Sequence, residues 1–131
     1  MRRNLVVMLV LAGALLGLAA CGSSSSKPKP PAAPTNLRGQ TSIEIDAKNN
    51  QFSPADVIVD VGTKVTWRNT DAVVHNIKKS ADAVDFGAPF GTDAFGPTQT
   101  YSFTFAKVGT YTYTCTIHTL MDGKITVVAK T

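Results

Sequence analysis

The chain has 131 residues, of which 44% are hydrophobic and 17% charged, and its formal net charge is +4. This length suits one ordinary domain but not two. Residues 1–35 contain four of the 13 basic residues and none of the 9 acidic ones, so residues 36–131 are neutral overall. A nucleic-acid-binding domain needs a basic surface on its folded part, so this balance argues against nucleic acid as a partner.

The first 20 residues are typical of an export signal. Arg2 and Arg3 precede an apolar run over residues 5–18. A membrane-spanning helix needs roughly 20 apolar residues, so this run is too short to be one. The run ends in Leu-Ala-Ala-Cys, in which Cys21 resembles the lipid-attachment cysteine of bacterial lipoprotein signals. We expect residues 1–20 to be a lipoprotein signal peptide and Cys21 to be lipidated; the alternative is an ordinary signal peptide with an incidental cysteine.

Residues 21–36 have the composition of a linker. They are rich in Ser and Pro and show no apolar periodicity. Ser and Gly give such a segment flexibility, and Pro gives it extension. With a lipid at one end, the segment would hold a folded domain just off a membrane surface. We therefore expect a monomeric, lipid-anchored protein in the extracytoplasmic part of a bacterial cell envelope.

Residues 37–131 are predicted to form one all-β domain. Apolar and polar residues alternate over short runs such as residues 57–61, 101–105 and 111–115, which is the period-two signal of strands. Gly96-Pro97 and Asp122-Gly123 are among the pairs that predict turns between them. Residues 80–100 lack alternation and are predicted to be a long ordered loop, with room for a short irregular strand. About seven strands in this length favour a small antiparallel β-sandwich.

Three chemically distinctive residues of this domain lie in a single segment. Cys115, His118 and Met121 form the pattern Cys-x-x-His-x-x-Met. A straight strand would send residues three apart to opposite faces, whereas a tight loop can direct all three side chains to one point. Cys115 continues the alternation of Tyr111 and Tyr113 and is expected to point inward. His75, at the start of another predicted strand, could reach the same point.

The donor types of these four residues favour a metal site. Thiolate, two imidazoles and a thioether together are the ligand set of mononuclear blue copper, whereas structural zinc sites use at least two cysteines. A redox cysteine pair is excluded because the domain has one cysteine. A Cys-His nucleophile remains conceivable, but it would not need Met121, and no orienting group for the histidine is apparent. Each residue alone could be structural, but their coincidence favours metal binding.

Several segments resemble a known family. They are residues 65–69, 75–77, 109–115 and 123–127, together with His118 and Met121. Over about residues 40–129 the chain resembles the cupredoxins of the plastocyanin type, and its short ligand loop is most similar to that of the amicyanins. The resemblance implies a Greek-key β-sandwich of about seven or eight strands with one type 1 copper ion at one end.

The same resemblance implies which atoms bind the copper ion. They would be the Nδ1 of His75, the thiolate of Cys115, the Nδ1 of His118 and the sulfur of Met121. Amicyanin-like loops usually carry proline on both sides of the second histidine. Here those positions are Ile117 and Thr119, so close functional equivalence to amicyanin does not follow.

The resemblance also implies roles for neighbouring residues. The backbone N–H of Asn76 would point at the Cys115 sulfur, and the Asn76 side chain would point toward Thr116. The edge of His118 would lie at the surface in an apolar patch, to which Ile117 and Leu120 could contribute.

The expected function is transfer of single electrons between a donor and an acceptor redox protein. Four protein ligands leave no coordination position for a substrate, which argues against an enzyme. The alternative is a copper-binding or copper-delivery lipoprotein that uses the same ligands. Methionine-rich or histidine-rich tracts would favour delivery, and the sequence has none. Use of the fold for adhesion alone is disfavoured by the intact ligand set.

Overall fold

The computed structural model describes residues 32–81, 86–87 and 89–131. The predicted signal peptide, Cys21 and residues 21–31 of the predicted linker lie outside them. The described residues contain no helix that is long and apolar enough to cross a membrane. Their strands are β1 (Thr35–Asn36), β2 (Ser42–Lys48), β3 (Gln51–Ser53), β4 (Asp56–Asp60), β5 (Lys64–Asn69), β6 (His75–Lys79), β7 (Thr92–Phe95), β8 (Thr100–Thr104), β9 (Gly109–Thr114) and β10 (Asp122–Val128).

Alternating burial along the strands accounts for the layered fold. In β2, Ile43, Ile45 and Ala47 are buried while the residues between them face outward. In β4, Val57 and Val59 are buried in the same way. Burial of a large aliphatic side chain contributes about 1.5–3 kcal/mol to stability, so each strand is held to the core by its apolar face. The period-two alternation predicted from the sequence thus corresponds to the alternating burial of side chains in the folded domain.

The strands form two sheets. One sheet has the order β1-β4-β10-β9-β6-β7, and the other has the order β3-β2-β5-β8. The pairs β4–β10 and β2–β5 are parallel, so the chain crosses between the sheets to make them. This arrangement confirms the predicted all-β sandwich, but its sheets are mixed and not purely antiparallel as predicted. The strands outnumber the predicted seven or eight because β1 and β3 are too short to give a period-two signal.

Strand β1 begins inside the segment that the sequence assigns to the linker. Thr35 and Asn36 pair in parallel with Val57 and Ile58 of β4. Leu37 continues this contact by donating its backbone N–H to the carbonyl oxygen of Ile58 at 2.8 Å. Sheet pairing therefore starts two residues before the predicted domain boundary.

The segment predicted to be a long loop contributes to the core. Phe86 and Phe95 are buried, and Phe90 packs against Phe86 with ring centroids 4.1 Å apart. Trp67 lies beside this aromatic group, with its ring 5.8 Å from that of Phe90 and 5.2 Å from that of Tyr113. Strand β7 is the short irregular strand for which the prediction left room, and its register with β6 shifts between His75 and Ile77.

One predicted turn is wrong. Asp122 and Gly123 begin β10, where Gly123 pairs with Tyr113 of β9. A Cβ atom at position 123 would overlap the ring of Tyr113. The glycine is therefore required by the close approach of an aromatic ring and not by a turn.

The sandwich brings the predicted site residues to one end. Strand β5 ends at Asn69 and β6 begins at His75, while β9 ends at Thr114 and β10 begins at Asp122. Strand β6 pairs with β9, with Lys78 opposite Thr114. The loop over residues 70–74 and the loop over residues 115–121 consequently leave the sheet side by side.

Candidate metal centre

Three donor side chains converge at this end of the sandwich. One ligand atom from each of His75, Cys115 and His118 lies within 4.8 Å of the other two. The Cys115 Sγ lies 3.9 Å from the Nδ1 of His75 and 3.6 Å from the Nδ1 of His118. His75 and Cys115 are buried, and His118 is half-buried. The structure therefore brings together three of the four predicted ligands around the sulfur.

The loop over residues 115–121, called the ligand loop below, is closed across its base. The Cys115 backbone N–H donates to the carbonyl oxygen of Met121 at 2.9 Å, and the Thr114 hydroxyl donates to the same oxygen at 3.3 Å. Leu120 has a φ of 61°, in the left-handed region, which turns the chain back into β10. Met121, the fourth predicted ligand, is fully buried at the end of this loop.

A carboxylate fixes the ring of His75. The Nε2 of His75 lies 2.9 Å from the Oδ2 of Asp71. An ionised carboxylate can only accept hydrogen bonds, so the Nε2 carries the proton and the Nδ1 lone pair points toward Cys115. Burial acts to raise the pKa of Asp71, but the amides of Asn49 and Asn50 together with His75 outweigh it. The pKa of Asp71 is therefore lowered from its ordinary value, which keeps the carboxylate charged.

Asn69 fixes the loop that carries Asp71. Its side chain is buried, and its Nδ2 donates to the carbonyl oxygens of Val73 at 2.8 Å and Phe95 at 2.9 Å. Its Oδ1 accepts the backbone N–H of Asp71 at 2.8 Å. These contacts satisfy the polar atoms of a buried amide and tie the loop over residues 70–74 to β7.

Asn76 joins the two halves of the site. Its backbone N–H lies 3.5 Å from the Cys115 sulfur, as a donor to it. Its Nδ2 donates to the Thr116 hydroxyl at 2.8 Å, and its Oδ1 accepts the Thr116 backbone N–H at 2.8 Å. The N–H donor orients the Cys115 sulfur, and the paired side-chain contacts fix the ligand loop against β6. These are the contacts that the resemblance implied for Asn76.

Exposed apolar side chains lie in the two loops that carry or precede the predicted ligands. Ile117 is 47% exposed and Leu120 is 92% exposed, on either side of His118 in the sequence. Val73 and Val74, which precede His75, are 46% and 41% exposed. Ile117 and Leu120 were predicted to be exposed, whereas the two valines were not, although their position next to a predicted ligand was a usable signal.

Asp71 was missed as well, and it corrects an expectation. No orienting group was apparent for either histidine, yet Asp71 stands four residues before His75 and contacts it. Asp71, His75 and Cys115 thus contact one another in the sequence expected of a catalytic triad: an orienting carboxylate, a general base and a nucleophile. Cys115 is only 1% exposed, and its sulfur is 3.9 Å from the Nδ1, beyond a normal proton-transfer distance. The arrangement therefore favours metal binding over nucleophilic catalysis.

The donor set fits copper. The group contains one cysteine sulfur and two imidazoles, with no carboxylate oxygen among the converging atoms. Soft sulfur and borderline nitrogen donors of this kind suit copper, and His₂Cys with a weak axial Met is the type 1 arrangement. Cys115 is a free thiol in the described part of the chain, so it is available as a ligand.

Comparison with known sequences also indicates a copper site. Residues 39–128 match the sequence model of the family described as copper binding proteins, plastocyanin/azurin family. Amicyanin-alpha of Methylorubrum extorquens is 38% identical over 91 residues, which are 66% of this chain and 71% of that protein.

Solved structures with similar folds include amicyanins and a nitrite reductase. A Cu(I) form of an amicyanin mutant superposes with a TM-score of 0.60 at 33% identity, and the match covers 66% of this chain and 82% of that one. A copper-containing nitrite reductase from Thermus scotoductus SA-01 superposes with a TM-score of 0.61 at 29% identity. That match covers 69% of this chain but only 23% of the reductase, so the likeness concerns a small part of the enzyme.

Proposed function

We propose the ligands of the copper ion from one premise: the chain belongs to the plastocyanin/azurin family of copper binding proteins and carries electrons on one type 1 copper ion. They are His75, Cys115, His118 and Met121. The observation that supports this assignment is the convergence of the two Nδ1 atoms on the Cys115 sulfur, within 4.8 Å, at one end of the sandwich.

Each proposed ligand contributes a different property. When bound, copper supplies a one-electron couple between Cu(I) and Cu(II). The Cys115 thiolate favours the more highly charged state, whereas the Met121 thioether and the buried surroundings favour the less charged one. His75, Cys115 and Met121 are buried and exclude water from their side of the site. Hydrogen bonds from Asn69 and Asn76 hold both loops, so the ligands need little rearrangement when the charge changes.

The proposed function is electron transfer without catalysis. Four protein side chains leave no open position for a substrate, in contrast to a catalytic metal site. The likeness to nitrite reductase does not alter this proposal, because the shared region is a minor part of that enzyme.

His118 is the proposed point of contact with redox partners. It is the half-buried ligand, and the exposed side chains of Val73, Val74, Ile117 and Leu120 lie in the same two loops. An apolar surface around an exposed ligand can dock a donor and then an acceptor protein. A small contact area suits partners that must exchange rapidly.

The proposed location is the extracytoplasmic side of a bacterial membrane. The support is the signal-like residues 1–20, Cys21 and the Ser/Pro-rich segment after it. Mass spectrometry of the mature protein should find a lipid on Cys21, and Cys21→Ala should abolish its attachment. An unmodified N-terminus downstream of Cys21 would overturn the anchor and leave the copper assignment untouched.

The visible spectrum and voltammetry test the electron-transfer proposal together. The protein loaded with Cu(II) should be intensely blue through charge transfer from the Cys115 sulfur, and it should be reduced and reoxidised reversibly. A colourless protein that binds zinc but has no redox couple would overturn the proposal. Rapid loss of Cu(I) to a chelator, without fast reversible reduction, would favour the alternative of copper delivery.

A further inference from the structure

The carboxylate of Asp71 accepts three hydrogen bonds. Its Oδ1 accepts the backbone N–H of Asn49 at 2.7 Å. Its Oδ2 accepts the backbone N–H of Asn50 at 3.1 Å and the Nε2–H of His75 at 2.9 Å. The Asp71 side chain is 14% exposed; the bonds from the two asparagine amides lie at the surface, and the contact with His75 is partly buried.

The turn that supplies the two amides is built for this geometry. Asn49 and Asn50 connect β2 to β3, and both have a φ of 54°. A two-residue hairpin turn with positive φ at both positions is favoured by Asn, which tolerates the left-handed region. Two successive backbone amides then point at one carboxylate. The position of Asp71 is consequently set by backbone groups and not by its own rotamer freedom.

The carboxylate is fixed from its other side as well. The Asp71 backbone N–H donates to the Oδ1 of buried Asn69, at the end of β5. His75 therefore contacts an anion whose backbone and side chain are both held by other elements of the domain. In the described part of the chain, no carboxylate forms an ion pair with His118.

We propose that Asp71 is a positioning residue that tunes the copper site through His75. This inference rests on the proposed function. By accepting the Nε2–H, Asp71 holds the tautomer whose Nδ1 lone pair faces the sulfur, and its charge makes that lone pair a stronger donor. A stronger donor beside a negative charge favours Cu(II) over Cu(I). Asp71 thus lowers the reduction potential relative to a site with a neutral partner for His75.

Asp71→Asn tests the proposal, and Asp60→Asn is its matched control. Asp60 also accepts a backbone N–H, from Gly39 at 2.7 Å, and a side-chain N–H, from Arg38 at 2.9 Å. Asp60 is the last residue of β4 and therefore lies near the start of β5, whereas Asp71 lies just after the end of β5. The control is consequently at the opposite end of the domain. Both substitutions remove a charge that accepts backbone amides, but only one of these charges contacts a proposed ligand.

Two measurements on the full chain are expected to separate the variants, and a third tests the Asp71–His75 contact in the wild type. Loss of such a partner typically weakens metal binding by roughly 10–100-fold, and we expect Asp71→Asn to reduce Cu(II) affinity by this factor and Cu(I) affinity less. The reduction potential of Asp71→Asn should therefore rise, and that of Asp60→Asn should match the wild type. In the metal-free wild type, nitrogen NMR should show His75 protonated at Nε2 with slow exchange of that proton.

The outcomes distinguish this inference from the proposed function. Equal potentials in Asp71→Asn and the wild type would overturn the tuning role. Protonation of His75 at Nδ1 in the metal-free wild type would overturn it too, and this measurement remains decisive if Asp71→Asn does not fold. A wild type with no reversible copper couple would overturn the proposed function, while the NMR result would still test the Asp71 contact by itself.

Discussion

His75 and His118 direct the same ring atom at the same sulfur, yet their surroundings differ. His75 starts a strand, is fully buried and donates the N–H of its other ring nitrogen to Asp71. His118 lies in a loop, is half-buried and has exposed Ile117 and Leu120 on either side in the sequence. The two histidines thus divide into one that is held in the interior by the fold and one that lies near the surface, where we propose that a redox partner docks.

The conformation of the ligand loop supports this division. Leu120 combines a left-handed φ of 61° with 92% exposure, and neither is favourable for a large apolar side chain. The left-handed conformation alone costs roughly 1–2 kcal/mol for a residue other than glycine. No packing gain offsets that cost at so exposed a side chain. An apolar contact with a partner is the use that would favour leucine here.

Loss of the sulfur between the two histidines should have the largest effect. Cys115→Ser should abolish the blue charge-transfer band completely, because a hydroxyl does not provide the soft thiolate donor. Visible absorption of the copper-loaded variant checks this, with Cys21→Ser as the matched control that should keep full colour. A blue Cys115→Ser variant would contradict the proposed ligand set.

Replacement of each histidine in turn with glycine should show that the two positions differ in accessibility. His75→Gly and His118→Gly should both lose the blue band, since each removes a proposed ligand. Added imidazole should restore colour to His118→Gly, whose gap opens toward the surface, and not to His75→Gly, whose gap is buried. Titration with imidazole at constant copper measures the difference. Equal recovery in both variants would mean that the two sites are equally accessible.

Removal of Asn69 should weaken the His75 side of the site without changing a ligand. Asn69→Ala leaves two carbonyl oxygens and the Asp71 N–H without their partner. Each unsatisfied buried polar group costs about 1–3 kcal/mol, and partial access to water reduces the total, so we expect a loss of about 3 kcal/mol. Denaturant unfolding of the metal-free protein measures it. Exposed Asn36, whose Oδ1 accepts one backbone N–H, provides the control, and Asn36→Ala should change stability by less than about 0.5 kcal/mol.

The smallest effect on stability should come from the His118 side. Leu120→Asn keeps a residue that tolerates the left-handed region and removes an exposed apolar side chain, so the free energy of unfolding should change by less than about 1 kcal/mol. Electron self-exchange of the copper protein should nevertheless slow.

The control for Leu120→Asn is Val108→Asn. Val108 is 60% exposed and precedes β9, at the end of that strand away from Cys115. Its substitution should leave electron self-exchange unchanged. An equal slowing in the two variants would show that general surface polarity, and not the surface around His118, controls the rate.

Much of the site could be predicted because its signals are local. Cys115, His118 and Met121 lie within seven residues, and the alternation that ends at Cys115 sets which way that side chain points. The chemistry of sulfur and imidazole donors then restricts the metal. The convergence of His75 with this segment was expected from its place at the start of another predicted strand and from the resemblance, because no local spacing links it to Cys115.

The residues that support the site could not be predicted in the same way. Asp71 is near His75 in sequence, but its carboxylate is aimed by amides 21 and 22 residues away, in a turn whose left-handed conformation is set by the β2–β3 pairing. Val73 and Val74 resemble core residues in the sequence, and only the end of the sandwich leaves them exposed. Phe86 and Phe95 come from a segment without alternation, and their burial depends on rings from elsewhere in the fold: Phe86 packs against Phe105 and Tyr111, and Phe95 lies beside His75.

The sequence by itself determined the all-β class, the ligand candidates and the kind of metal, because period-two burial and donor chemistry depend on residue type and local spacing. The resemblance already implied a surface position for the edge of His118, but tertiary structure decided its difference from His75, which is buried and contacts Asp71. That difference depends on a strand edge, a distant turn and a carboxylate that meet only after the two sheets have packed. Burial and hydrogen bonding of this kind belong to the assembled sandwich, so no single segment of the chain encodes them.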